Sequence, residues 1–404
     1  MYNLAINLYF SLVKAASPFN PKAKLMTEGH KQVFPLLEEA IEKDSEYIWF
    51  HAASLGEFEQ ARPLIEEIKS AHPKYKIIIT FYSPSGYEVR KNFEQADIVC
   101  YLLPDTKKNV RKFLDIVNPR KAFFIKYEFW ANYLSELKKR EIETYIVSAI
   151  FRKEQLFFKF YGRPYRKLLS CFNHLFVQDK QSGILLNEIG INNVTVCGDT
   201  RFDRVFDIKT KAKELPLIKK FKNQFTVVAG STWPKDDEIV IKYFNDNPNT
   251  KLIIAPHEIN DEHLNAIIGE LKRPFLLFSE ADEESIATVD CIIIDCFGLL
   301  SSIYRYGDVA YIGGGFGVGI HNTTEAAVYH IPVLFGPNYA KFKEAKDLIK
   351  CGGGFTICSQ EEYDLQMQAF TDDNQKLLKA GSKAGRYIDS HKGATSKIMN
   401  QIEW

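Results

Sequence analysis

From residue 46 onward, short apolar runs alternate with longer stretches that carry one apolar and one charged face. The apolar runs fall at residues 47–52, 76–82, 97–103, 121–126, 143–149, 174–178 and 193–197. A second series follows at 224–230, 251–255, 274–278, 290–295, 308–312, 332–335 and 354–357. Runs this short and this continuously apolar predict strands covered on both faces. The stretches between them, such as 56–70 and 129–141, predict helices. Strands alternating with helices make βαβ units and parallel sheets. Two such series predict an α/β chain of two doubly wound, Rossmann-like domains facing a central cleft. In such sheets ligands bind outside the carboxyl ends of strands. Residues 203–222 are polar and lysine-rich and read as the linker, and the last thirty residues read as helical, able to pack back on the first domain.

Residues 1–13 carry a different pattern. Asn3, Asn7 and Ser11 recur every four residues, and Lys14 continues the stripe. Wound as a helix, this leaves a wide apolar face of Leu4, Ile6, Leu8, Phe10, Leu12 and Val13. Such a helix is roughly 20 Å long, too short for a hydrocarbon core of about 30 Å. Lys14, Lys22 and Lys24 follow, with no acidic residue before Glu28. An apolar face beside a basic cluster suits a helix lying on anionic lipid. A helix docked on the first domain is the alternative. A signal peptide fits less well, because no Lys or Arg precedes the apolar stretch.

Composition narrows the function. The 404 residues carry 52 Lys+Arg against 51 Asp+Glu, a net charge of +1, which speaks against a broad basic surface for nucleic acid. The 46% hydrophobic content is ordinary for a globular protein. Seven cysteines without a C-x-x-C predict neither a zinc site nor a disulfide framework, and no D-x-D is present to hold a metal-bound diphosphate.

The unusual residues cluster directly after predicted strands. In H-A-A-S-L-G-E, residues 51–57, the Ser54–Glu57 spacing fits a capping box, and it equally fits a carboxylate facing the cleft as general base. Gly56 would let a substrate approach the backbone. Ser85 and Glu88 repeat the spacing in S-P-S-G-Y-E, shaping the same edge. Glu128, in K-Y-E-F-W-A-N at 126–132, follows the next apolar run with Trp130 and Asn132. Arg201, in G-D-T-R-F-D at 198–203, is placed to hold an anion or to be a surface residue beside the linker. In the second half, G-S-T-W-P predicts a helix start at Ser231 or Thr232, a structural cap or a phosphate site. His257 in A-P-H-E and the D-C-F-G-L-L run at 295–300 also follow strands. The sharpest motif is G-G-G-F-G-V-G-I-H-N-T-T-E at 313–325, where glycine-rich backbone including Gly315 would cradle phosphate and Glu325 would accept ribose hydroxyls.

Together, in this order, these motifs resemble the 3-deoxy-D-manno-octulosonic acid (Kdo) transferases of lipid A biosynthesis, GT-B-type glycosyltransferases. The resemblance runs over nearly the whole chain. It implies a membrane-associating segment at 1–28, an acceptor-binding domain at 29–205, a nucleotide-sugar domain at 206–385 and a terminal helix at 386–404. It implies inverting, metal-independent transfer of Kdo from CMP-Kdo to a lipid A precursor, lipid IVA, with no cofactor, at the cytoplasmic face of a bacterial inner membrane reached through residues 1–24. The family's catalytic residues fall on Glu57 as base, Glu128 and Arg201; acceptor contacts fall to Ser54, Gly56 and Ser85. CMP contacts fall on Pro256 and His257, on Phe297, Gly298 and Leu299, and on Asn322, Thr323, Thr324 and Glu325, beside Ser231 and Gly315. The chain departs from the family pattern at Lys126 and Leu299, where acidic residues are usual, at Ala131 for proline, and at Pro256-His257-Glu258 for P-R-H. Two rivals share the pattern of elements: a UDP-sugar transferase or epimerase, and a two-domain binder without chemistry.

Overall fold

A computed structural model describes residues 2–404. All fourteen apolar runs are strands. The first seven are β1 (Tyr47–Ala52), β2 (Lys76–Phe81), β3 (Ile98–Tyr101), β4 (Lys121–Ile125), β5 (Glu143–Ala149), β6 (His174–Val177) and β7 (Val194–Val196). They form one parallel sheet in the order β3-β2-β1-β4-β5-β6-β7. The second seven are β8 (Phe225–Thr232), β9 (Thr250–Pro256), β10 (Phe275–Leu277), β11 (Cys291–Ile293), β12 (Val309–Ile312), β13 (Val333–Phe335) and β14 (Gly354–Thr356). Their parallel sheet runs β10-β11-β9-β8-β12-β13-β14.

Burial on both faces explains why β1 reads as a continuous apolar run. Tyr47 and Trp49 point into one core with Ile78, Phe113 and Phe124. Ile48 and Phe50 point into the other with Ile79, Phe123 and Phe58. Helices supply both covers: α1 (Tyr2–Ala16), α2 (Pro21–Ala40), α3 (Leu55–Ala71), α4 (Pro84–Arg90), α5 (Lys107–Val117) and α6 (Ala131–Lys139) in the first half.

The chain divides into two compact units. One runs to Arg204 and takes in Lys392–Trp404; the other is Val205–His391. The polar stretch read as a linker, 203–222, is mostly helical, in Arg201–Thr210 and Pro216–Phe221. Its isolated apolar residues are the reason: Val205, Ile218 and Phe221 are all buried. The boundaries expected at 28–29 and 385–386 lie inside helices, α2 and Asn374–Asp389. Two helices, not one, occupy the last thirty residues, and only the second, Ala394–Gln401, belongs to the first unit. Its Ala394 and Ile398, with Ile402 beyond it, enter the core with Phe50 and Ile79. Asp203 fastens its start, accepting from Gly393 N at 2.5 Å and Thr395 N at 2.6 Å.

Candidate active site

In each sheet the strand order reverses direction at one place, and there the crossovers part and open a crevice. In the first unit that place lies between β1 and β4; in the second it lies between β8 and β12. Glu57 and Glu128 follow the first pair; in the second, Ser231 lies in the last residues of β8 and Gly315 follows β12.

Glu57 sits in the first turn of α3. Ser54 caps no backbone N–H, and its hydroxyl donates instead to the Glu57 carboxylate. The capping-box alternative is therefore not what forms here. Lys126 Nζ stands 3.9 Å from the other carboxylate oxygen. Lys126 leaves β4 at φ 65, a left-handed conformation rare for a residue with a side chain. Gly56 and Ser85 are exposed beside this edge. The cap of α4 is Ser83, whose hydroxyl accepts from Ser85 N, while Glu88 pairs with Lys91.

Glu128 is held differently. Its Oε2 lies 3.0 Å from His51 Nε2 and receives Trp130 Nε1–H at 2.7 Å. Tyr82, leaving β2, packs on the Trp130 ring with centroids 5.2 Å apart. Asn132 is occupied structurally: its amide donates to the Asp105 carbonyl at 2.5 Å and to Asn3 Oδ1 at 2.7 Å. Tyr2 also donates to Asp105 Oδ2 at 2.5 Å, so the start of α1 is fastened beside α6. Burial pushes the Asp105 carboxyl up, against the lowering effect of the Tyr2 hydroxyl and of the backbone N–H groups of Asn132 and Tyr133 that donate to it.

Arg201 is bound to Asp199 by its Nε at 3.1 Å and Nη2 at 2.7 Å. Burial pushes the Asp199 carboxyl up, but the Arg201 charge and its hydrogen bonds outweigh it and hold the group below the usual range. Gln60 on α3 donates to the same carboxylate at 3.1 Å, tying Arg201 to the helix that carries Glu57.

Beside Tyr82 a cleft of about 430 Å³ opens between α1, α2 and the start of α4, lined by Tyr9, Leu12, Met26, Pro84 and, at its rim, Lys22. The apolar face of α1 divides here. Ile6, Phe10 and Val13 are partly covered, whereas Leu4, Leu8 and Leu12 are 74%, 60% and 61% exposed. Among the described residues, no helix is long and apolar enough to cross a membrane.

In the second unit the ends of β8, β9 and β12 bring three rings together. His257 stacks on Trp233 at 5.0 Å and on His321 at 4.3 Å, and Trp233 Nε1 donates to His321 Nε2 at 3.3 Å. Trp233 and His321 were not singled out by sequence reasoning, although both stand at strand exits. Trp233, not Ser231 or Thr232, is the N-cap of the helix Pro234–Asp246. Ser231 takes a left-handed φ of 53.

The glycine-rich loop uses several of its own N–H groups. Gly314 N donates to the buried Asp236 carboxylate at 2.8 Å, Gly313 N to Gly230 O, and Gly317 and Gly319 N to Gly314 O. Close packing explains much of the glycine content: a Cβ on Gly315 would lie 2.5 Å from the Gly336 backbone. The helix after the loop is a single turn, Thr324–Ala327. Asn322 accepts from Thr324 N at 3.1 Å and from its hydroxyl at 2.7 Å, and donates to Glu325 Oε1 at 2.9 Å. Thr323 and Thr324 are buried. Pro256 ends β9, and Phe297, Gly298 and Leu299 form a turn after β11 with Phe297 exposed.

Residues 28–204 match the family described as 3-deoxy-D-manno-octulosonic-acid transferase (kdotransferase). A 3-deoxy-D-manno-octulosonic acid transferase of Aquifex aeolicus is 29% identical over 340 residues, covering 82% of this chain and 87% of that protein. Among solved structures, the UDP-GlcNAc 2-epimerase of Neisseria meningitidis bound to UDP-GlcNAc superposes with a TM-score of 0.59 at 14% identity, over 88% of this chain and 98% of that one. Acinetobacter baumannii MurG superposes with a TM-score of 0.55 at 11% identity, over 88% and 99%. At these identities the two structures speak for the GT-B fold alone.

Proposed function

We propose that this chain, which matches the Kdo transferase family model over residues 28–204 and is 29% identical to a curated Kdo transferase, is itself a glycosyltransferase that moves Kdo from CMP-Kdo to a lipid A precursor, with Glu57 as general base. The observation that carries the assignment of Glu57 is its setting. It stands at the β1–β4 switch point, within the matched segment, with one oxygen bonded by Ser54 and the other facing Lys126. An ion pair at 3.9 Å between partly exposed groups is worth about 0–1 kcal/mol. It yields readily to an acceptor hydroxyl.

In the proposed step that hydroxyl oxygen attacks the anomeric carbon of Kdo from the face opposite the phosphate. The new C–O bond forms as the bond to phosphate breaks, CMP leaves with the bonding pair, and Glu57 takes the hydroxyl proton. The configuration inverts. Arg201 would pair with the sugar carboxylate or with charge developing on the leaving group. In the second unit, Ser231, Pro256, Gly315, Phe297 to Leu299 and Asn322 to Glu325 would hold CMP, needing neither metal nor cofactor. The Trp233–His257–His321 rings supply a stacking surface for a base.

The acceptor's acyl chains fit the exposed Leu4–Leu8–Leu12 stripe and the cleft beside Tyr82, with Lys14, Lys22 and Lys24 facing anionic headgroups. This is a peripheral attachment through residues 1–24, at the cytoplasmic face of the inner membrane. Incubation with CMP-Kdo and lipid IVA should give a lipid heavier by one or more Kdo residues in mass spectrometry. No product from CMP-Kdo, together with thermal stabilisation by UDP and not by CMP, would replace this reading with a UDP-sugar enzyme.

A further inference from the structure

His51, the penultimate residue of β1, is fully buried and has no part in the proposed transfer step. Its Nδ1 lies 3.0 Å from the Thr80 carbonyl oxygen and 2.9 Å from Thr80 Oγ1. The carbonyl only accepts, and the single hydroxyl hydrogen of Thr80 is directed to the Phe50 carbonyl oxygen at 3.4 Å, so the ring hydrogen on this side is assigned to Nδ1. The Thr80 hydroxyl in turn accepts from Trp49 Nε1 at 2.8 Å, which fixes that side of the ring. A neutral imidazole would then turn a lone pair at Nε2 toward Glu128 Oε2, 3.0 Å away. An ionised carboxylate also only accepts. Among the described residues, the one other donor at this contact is Trp130 Nε1–H, 2.7 Å from Oε2 and 3.0 Å from His51 Nε2. One hydrogen cannot relieve two facing acceptors in a buried setting, where an unrelieved contact of this kind is costly.

Resting on the transfer reading above, we infer that His51 is a positioning residue that acts through Glu128, the two holding one shared proton between Nε2 and Oε2. With that proton in place Oε2 receives two hydrogens, from His51 and from Trp130. Glu128 Oε1 makes no hydrogen bond among the described residues, and its side chain remains 14% exposed. The pair therefore holds one oxygen rigidly and presents the other to a sugar hydroxyl of the acceptor. Thr80 anchors the ring from β2 and Trp130 closes it from the β4 exit, so three neighbouring strands set the direction of one carboxylate.

The test has a part that needs no substrate. In the protein labelled with 15N at histidine, a strongly downfield proton correlated with His51 Nε2 is expected, and it disappears in Glu128→Gln, whose amide donates to Nε2 directly. Its absence from the wild-type protein overturns the shared proton. The second part is kinetic. His51→Gln should lower kcat by about 10²-fold through a misdirected Glu128, with KM for CMP-Kdo unchanged. In a Glu128→Gln background the same substitution should add less than twofold. A full His51→Gln effect in that background, or wild-type kcat in the single variant, overturns the positioning role. If His51→Gln does not fold, the ring proton in wild type and in Glu128→Gln decides. A protein that shows the proton yet transfers no Kdo keeps the pair and loses the reaction assigned above.

Discussion

Two carboxylates leave neighbouring strands, and their surroundings suit different tasks. Glu128 is clamped by ring nitrogens, whereas Glu57 touches a hydroxyl and a distant ammonium. Only the second is placed to gain and lose a proton without dismantling its setting. Glu57→Gln should lower kcat by about 10²–10⁴-fold while CMP still raises the melting temperature; a rate within threefold of wild type sinks the base assignment. Two histidines make a prediction about stability. Burial lowers His30 from 6.5 to about 4, and burial followed by repulsion from His257 lowers His321 from 6.5 to about 4. Between these values the unfolded chain binds protons that the folded one refuses. Their contribution to stability is therefore full above pH 6.5 and is lost as the pH falls to about 4. Thermal melts across that range should show the fall, and His321→Gln should flatten it. An unchanged slope in the variant would exclude His321 as its source.

At the level of elements, α1 has two apolar edges with different occupations. Phe10 meets His30 and Tyr82 at centroid distances of 5.6 and 6.5 Å, so that edge belongs to the fold. Replacing Leu4, Leu8 and Leu12 by Gln should leave the melting temperature within about 2 °C, since these side chains cover little within the protein. Binding to anionic vesicles should weaken at least tenfold, because each leucine forfeits up to about 1.5–3 kcal/mol of burial. Unchanged vesicle binding would remove the stripe from the membrane contact. The strands were legible in the sequence because a parallel sheet covered on both faces leaves unbroken apolar runs, as in Tyr47–Ala52. The helix Arg201–Thr210 was not, since Phe202 and Val205 are buried singly among charged neighbours. In the site, strand exits could be read from Glu57, Glu128 and the glycine run. Hydrogen bonds between distant residues could not: His51 with Glu128, or Asp236 with Gly314, depend on which strands become neighbours.

Across the whole molecule, the first unit is discontinuous in sequence. Trp404 stacks on His72 at 5.1 Å and on Phe123 at 6.2 Å, and Ile398 is wholly buried among first-unit side chains. Ile398→Ala should therefore destabilise the first unit by about 2–5 kcal/mol. Hydrogen exchange resolved by peptide would register the loss at β1 and β2 and spare β8 and β9; equal loss in both sheets would contradict the division. The return of residues 392–404 also imposes an order in time. At about 5–20 residues per second, translation of the second unit separates the two parts of the first by roughly ten to forty seconds. Throughout that interval the face of the first sheet carrying Phe50 and Phe123 lacks its last cover. The nascent first domain waits for the second to be made, and that pause is when a chaperone would find it exposed.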